Sequence, residues 1–157
     1  MRADYYASYL QLCVTNYAEG NVTSGYWLKE GALERAYVEF EKMLPQGLAT
    51  PDNYFFEIMS DEGGYPVGFI WFTVKEEHRI RSSWLCYVEI KAEFRRQGYA
   101  RKAFHEFEVF VAALGVSSIG LHVFSHNNAA QAFYSQIGFV VPGINMVKQL
   151  GKHQQVL

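Results

Sequence analysis

Residues 84–100 limit the folds open to this chain more than any other stretch. Trp84 to Ile90 has the apolar, β-branched and aromatic character of a strand, Lys91 to Gln97 is a charged turn, and Gly98-Tyr99-Ala100 opens a helix. In that helix Ala103, Phe104, Phe107, Phe110, Val111 and Leu114 recur at helical spacing, and Gly115 ends it. A strand that feeds so directly into an amphipathic helix needs a sheet with a helix packed on it. The same alternation continues downstream. Ile119 to Phe124 reads as a buried strand, Asn128 to Ile137 as a helix stopped by Gly138, and Phe139–Val141 with Asn145–Leu150 as a closing strand pair.

Upstream of the junction the pattern differs. Tyr6, Tyr9, Leu10, Cys13, Val14 and Tyr17 predict a first helix that ends at Gly20-Asn21. A second is expected from Leu28 to Leu44, with Leu33, Ala36, Tyr37, Phe40 and Leu44 on one face and Pro45-Gln46-Gly47 stopping it. Tyr54–Met59 and Val67–Val74 flank the turn-rich Asp61–Pro66 and form an antiparallel hairpin, and Lys75–Arg81 reads as a charged loop. Two helices, a meander, then strand–helix–strand–helix define an α+β (mixed α/β) class. With 157 residues, half of them hydrophobic and 19% charged, residues 1–157 form a single domain with a real core.

Several function classes are excluded at this level. A net charge of −2 supplies no field for nucleic acid or an anionic membrane. No apolar run has the roughly 18 residues of a membrane span, and Met1-Arg2-Ala3-Asp4 does not open a secretory signal. Cys13 and Cys86 have no metal-ligand spacing and read as free thiols of a cytoplasmic protein. His122 and His126 lack a third ligand, so no metal is expected. Aromatics at 17% exceed what a minimal core needs and point to a pocket or an interface, a homodimer interface included.

The helix start at Gly98 is where chemistry enters. A helix N-terminus offers unpaired N–H groups and the positive end of the macrodipole, and successive amides in a turn make a concave anion site. Gly98 and Ala100 keep side chains clear, while Arg95, Arg96 and Arg101 add positive charge. The segment reads as a pyrophosphate cradle, or more plainly as an Arg-flanked helix start. P-loop and dinucleotide fingerprints are absent.

A second segment, Leu121 to Phe139, stands about one strand-and-helix unit downstream. Together the two resemble the GNAT superfamily of acetyl-CoA-dependent N-acetyltransferases, in a small bacterial subgroup. Arg95, Gly98 and Ala100 match the family's arginine/glutamine-x-x-glycine-x-glycine/alanine signature, and Asn127, Ala130, Phe133 and Tyr134 match its later motif, followed by Gly138-Phe139. The likeness is strongest from Val67 onward. Leu44–Leu48 and Thr50-Pro51 also look like the subgroup. Two departures stand out. The family usually has a strand before the first helix, whereas this chain opens in or near that helix, so the strand is missing, very short or supplied differently. Tyr87 occupies a central-strand position where relatives tend to carry a carboxylate.

The resemblance implies a GNAT fold: a mostly antiparallel twisted sheet flanked by helices and splayed at its central strand. It implies acetyl transfer from acetyl-CoA directly to an amine of a small molecule or peptide. The cofactor would be held by Val88, Ile90, Arg95, Arg96, Gln97, Gly98, Tyr99, Ala100, Arg101, Asn127, Ala130, Phe133 and Tyr134, with backbone N–H groups around Val88 to Ile90 polarising the thioester carbonyl. Tyr134 is the candidate acid for the leaving thiolate, against the plainer reading of a packing tyrosine. Glu89, His122 or a water chain would take the amine's proton. A lysine-like ammonium, pKa ~10.4, has to lose that proton before it can attack. The acceptor side would involve Tyr17, Tyr26, Trp27, Glu19 and Glu30, although these aromatics equally suit helix packing. The alternative function is an acyl-CoA-binding module with weak catalysis.

Overall fold

The computed structural model describes residues 1–148 and 150. Helices α1 (Ala3–Thr23) and α2 (Ala32–Met43) come first, followed by strands β1 (Asn53–Met59), β2 (Pro66–Glu77) and β3 (Ile80–Ile90). Helix α3 (Tyr99–Ala113), strand β4 (Ser118–Leu121) and helix α4 (Asn128–Gln136) complete the order. Short 3-10 turns at Gly47–Ala49 and Ala92–Phe94 lead into β1 and α3. The sheet runs β1-β2-β3-β4, with the first three strands antiparallel and β4 parallel to β3. This is the expected α+β class. Two compact units are present, Met1–Asn127 and a smaller one beginning at Asn128.

Strand alternation divides the core of the larger unit between two faces. Phe55, Phe69 and Trp71 join Cys13, Val14 and Ala18 of α1 and Ala36 and Phe40 of α2 in one buried cluster. On the opposite face Phe72 meets Phe107 of α3 at 4.4 Å between ring centroids, and Phe110 packs on Tyr54 and Phe56. Phe69, Phe72 and Phe104 are fully buried, each worth about 1.5–3 kcal/mol in burial alone. Among the described residues, no helix is long and apolar enough to cross a membrane.

Several boundaries differ from the sequence expectation, each for a physical reason. Helix α1 does not stop at Gly20-Asn21 but continues to Thr23. A glycine inside a helix costs about 0.5–1 kcal/mol relative to alanine. Gly20 belongs there because the Phe124 ring lies where its Cβ would be, 2.2 Å from the nearest ring carbon. Helix α2 starts at Ala32, since Gly31 takes φ +69° just before it, and Leu28 is exposed. Its buried stripe is Ala32, Ala36 and Phe40, with Leu44 just beyond its end, and Leu33 and Tyr37 reach solvent. Two small alanines let α1 and α2 approach closely.

The charged stretch Lys75–Arg81 is a hairpin rather than a loop. Glu77 pairs with Ile80 around a two-residue turn, His78 and Arg79, both at positive φ, and Arg81 Nε donates to Glu76 at 2.8 Å. The strands here run past the core, so charges serve on both faces. Strand β4 ends at Leu121 instead of Phe124. The expected closing strand pair is not formed over 139–148, where Pro142 lacks a ladder donor and Val140, Val141, Ile144 and Met146 are exposed. Gln149 lies outside the described residues. No strand precedes α1 among the described residues. Instead the Met1 amine donates to the Phe55 carbonyl at 2.9 Å and the Arg2 amide to Glu57 Oε1 at 2.8 Å.

Candidate active site

The site begins with an irregularity in β3. Trp71 pairs with Tyr87 but Phe72 pairs with Leu85, so Cys86 is an extra residue, a β-bulge. Pairing with β4 covers only Ser82 to Leu85 and ceases at the same point. Beyond it, β3 continues to Ile90 with β2 on one side only. The Lys91 amide donates to the Val67 carbonyl at 2.9 Å, which fixes the alternation of the ladder. By that alternation Glu89 and Lys91 bond to β2, whereas the amides of Val88 and Ile90 point away from it, into the opening left by β4. Such fixed N–H groups can polarise a carbonyl oxygen.

Nine residues after Ile90 the chain enters α3 at Tyr99. Arg96 and Gly98 have φ of +64° and +90°, and no side chain caps the helix. The first helical bond recorded there runs from the Lys102 amide to the Gly98 carbonyl at 3.1 Å, so the Tyr99, Ala100 and Arg101 amides precede the helical ladder. A Cβ built on Gly98 would meet nothing within 4 Å, so the backbone is open to close approach. An open cleft of about 710 Å³ adjoins this turn, lined among others by Asp61, Gln97, Gly98, Tyr99 and Lys102. Asp61 pairs with Lys102 and raises its pKa. These uncapped amides beside a bare glycine are the donor set a diphosphate needs.

The side chains of the turn divide by role. Arg101 and Arg96 are exposed, and Gln97 Nε2 donates back to the Glu93 carbonyl at 2.9 Å. Arg95 is turned to β3, where its Nε donates to the Ile90 carbonyl at 2.8 Å and its guanidinium pairs with Glu89. Tyr99 packs edge-on against Phe94, with its hydroxyl 3.4 Å from Ser60 Oγ. The positive charge expected from Arg95 is thus already met by a carboxylate.

On the α1 face, Tyr87 stacks on Phe69 at 5.4 Å and accepts a hydrogen bond from Asn16 Nδ2. Burial pushes its phenol well above the ordinary value of 10.0, so it stays neutral and cannot replace a carboxylate base. His122 lies just past β4, exposed, with its ring edge-on to Phe124 at 5.0 Å. His126 stacks on the same phenylalanine at 5.6 Å, and its Nδ1 is 3.4 Å from Ser24 Oγ. The Asn127 amide closes this turn onto the Phe124 carbonyl at 2.9 Å. Among the described residues no three His, Cys, Asp or Glu side chains converge as metal ligands.

Within the second unit, Ala130, Phe133 and Tyr134 lie on α4. Tyr134 packs against Phe133 and Phe139, each at 5.7 Å, and its carbonyl accepts from the Phe139 amide at 3.0 Å as the helix ends. Burial raises its pKa above 10.0, which keeps the phenol protonated. Tyr17, set among the acceptor aromatics, gives its hydroxyl to Glu39 at 2.8 Å and packs edge-on against Trp27, which suits helix packing. Sequence reasoning missed Asn16 and Gly20. The spacing of Asn16, Gly20 and Ser24, one helical turn apart, was the available signal.

The model of the Acetyltransferase (GNAT) family matches residues 21–139. The chain is 31% identical over 150 residues to the uncharacterized N-acetyltransferase YycN of Bacillus subtilis (strain 168), covering 96% of each. It is 29% identical over 150 residues to the uncharacterized N-acetyltransferase YdgE of the same organism, covering 96% of this chain and 95% of that one. The crystal structure of YycN superposes with a TM-score of 0.90, over 97% of this chain and 96% of the other, at 30% identity.

Proposed function

Because the chain belongs to the GNAT acetyltransferase family and is an acyltransferase, we propose that it moves an acetyl group from acetyl-CoA directly to a primary amine of a small molecule or peptide, as one domain in the cytoplasm. The observation that carries the reading is the parting of β3 and β4 beyond Leu85, with the Val88 and Ile90 amides turned into the gap. The start of α3 supports it with the uncapped amides of Tyr99, Ala100 and Arg101.

The thioester of acetyl-CoA supplies an activated acyl group. Residues of this chain do the rest. The α3 amides hold the diphosphate, and the Val88 or Ile90 N–H takes the developing charge on the carbonyl oxygen, a contribution of about 2.7–4 kcal/mol. As the amine nitrogen bonds to the acyl carbon and the carbon–sulfur bond breaks, one proton leaves nitrogen and one reaches sulfur. Tyr134, protonated throughout the neutral range, gives the second. The first goes to Glu89, on the α1 face beside the gap, to His122, or to water.

A second reading, an acyl-CoA-binding module, draws on Tyr87 standing at the usual carboxylate position and on the Arg95 pairing of Glu89. Incubation with acetyl-CoA and a panel of small amines and peptides, read by thiol release and mass spectrometry, separates the two. Acetylated product is the expected result. Tight acetyl-CoA binding with no product from any amine would establish the binding module instead.

A further inference from the structure

Helix α1 crosses the parting strands, and three residues on one stripe make the crossing. Asn16 donates to Tyr87 on β3. One turn on, Gly20 lies against the Phe124 ring, and one turn further Ser24 meets His126, both in the segment that follows β4. The two sides of the gap therefore touch the same helix at successive turns.

The central contact leaves no slack. A Cβ on Gly20 would stand 2.2, 2.7 and 2.8 Å from three carbons of the Phe124 ring. His122 meets that ring edge-on at 5.0 Å and His126 stacks on it at 5.6 Å, so the ring is flanked by two imidazoles of its own segment. An added methyl would press on the ring and through it on the 122–126 segment, which continues from the point where β4 parts from β3.

We infer that Gly20 is a positioning residue, whose missing side chain sets the width of the opening between β3 and the segment after β4. The inference rests on the acetyl-transfer reading for its effect on rate but not for its effect on structure. The amides of Val88 and Ile90 report the opening directly, so their nitrogen-15 resonances are one readout and turnover is the other.

In Gly20→Ala both amides should shift, and kcat should fall about tenfold or more, because small misplacements of reacting groups are costly. The CoA dissociation constant, governed by the distant α3 start, should stay within about threefold. Adding Phe124→Leu to Gly20→Ala makes room for the methyl and should bring both readouts nearer the parent than either single variant. A folded Gly20→Ala protein with unmoved amides or parental kcat would overturn the inference, as would a double variant without rescue. If Gly20→Ala does not fold, Phe124→Leu alone must move both amides, and failure to do so counts equally against it. Should the parent transfer acetyl to no amine, the transfer reading fails, while the amide shifts still decide the role of Gly20.

Discussion

Arg95 ties the turn before α3 back onto β3, its Nε on the Ile90 carbonyl at 2.8 Å and its guanidinium on the Glu89 carboxylate. The turn is thereby anchored to the strand that lines the opening, and the arginine acts on the donor site through backbone placement. Arg95→Met should change the CoA dissociation constant by less than about threefold and cost about 0.2–1 kcal/mol of stability, since the guanidinium is more than half exposed. Calorimetry and thermal unfolding check both. A loss of CoA affinity of about tenfold or more would mean that the guanidinium reaches the diphosphate itself.

Gly98 tests the amide cradle. Its φ of +90° disfavours any side chain, and the space above it is open. Gly98→Glu puts a carboxylate where a diphosphate would lie and should abolish CoA binding in a folded protein. Micromolar affinity retained in calorimetry would remove the turn from the donor site.

Tyr134→Phe keeps the ring contacts with Phe133 and Phe139 and deletes only the hydroxyl. As the proton donor to sulfur, its loss should lower kcat about 10²-fold with CoA affinity nearly unchanged. A packing tyrosine forecasts the reverse: about 1 kcal/mol of lost stability and parental turnover. Measuring kcat and Tm on one preparation separates these.

Cys86 should be silent in catalysis. Burial pushes its thiol up to about 12 from 9.0, so thiolate is scarce at neutral pH. Iodoacetamide at pH 8 should label it far more slowly than free cysteine, and Cys86→Ala should retain turnover. The same shift has a sign for stability. Below pH 9 thiol and fold are compatible. As pH rises from about 9 to 12 the unfolded chain ionises while the folded thiol does not, and stability falls by at most about 1.4 kcal/mol per pH unit. Urea unfolding of parent and Cys86→Ala at pH 8 and 10.5 checks this, with the parent losing more. Rapid labelling, or a Cys86→Ala protein that binds CoA without turning over, would bring back a covalent route.

The elements with strong local patterns were legible in the sequence. α3, with Phe104, Phe107 and Val111 inward, lies within a residue of its expected bounds, because a helix that covers a sheet needs an apolar stripe. The junction at Gly98 was equally visible, as its glycine is a backbone requirement. What escaped was set by tertiary partners. Gly20 reads as a helix stop until Phe124 is placed beside it. Asn16 is one more polar helix residue until Tyr87 accepts from it. The charges of Lys75–Arg81 look like a loop because those strands leave the core, where alternation no longer tracks burial. The bulge at Cys86 leaves no composition mark, since its evidence is the pairing with β2.

That bulge works as a frameshift in side-chain address. Leu85, paired with Phe72, looks toward α3, yet Tyr87, paired with Trp71, looks toward α1, although two residues in an unbroken strand would share a face. Odd-numbered positions thus serve the α3 core before Cys86 and the α1 face after it. Any substitution in residues 87–90 edits one position. Deleting residue 86 would straighten the strand yet keep those addresses, because Tyr87 would then follow Leu85 in plain alternation and still pair with Trp71. The extra residue therefore shapes the local bend and twist of β3 where it parts from β4, while the pairing with β2 sets which face Tyr87 and Glu89 occupy.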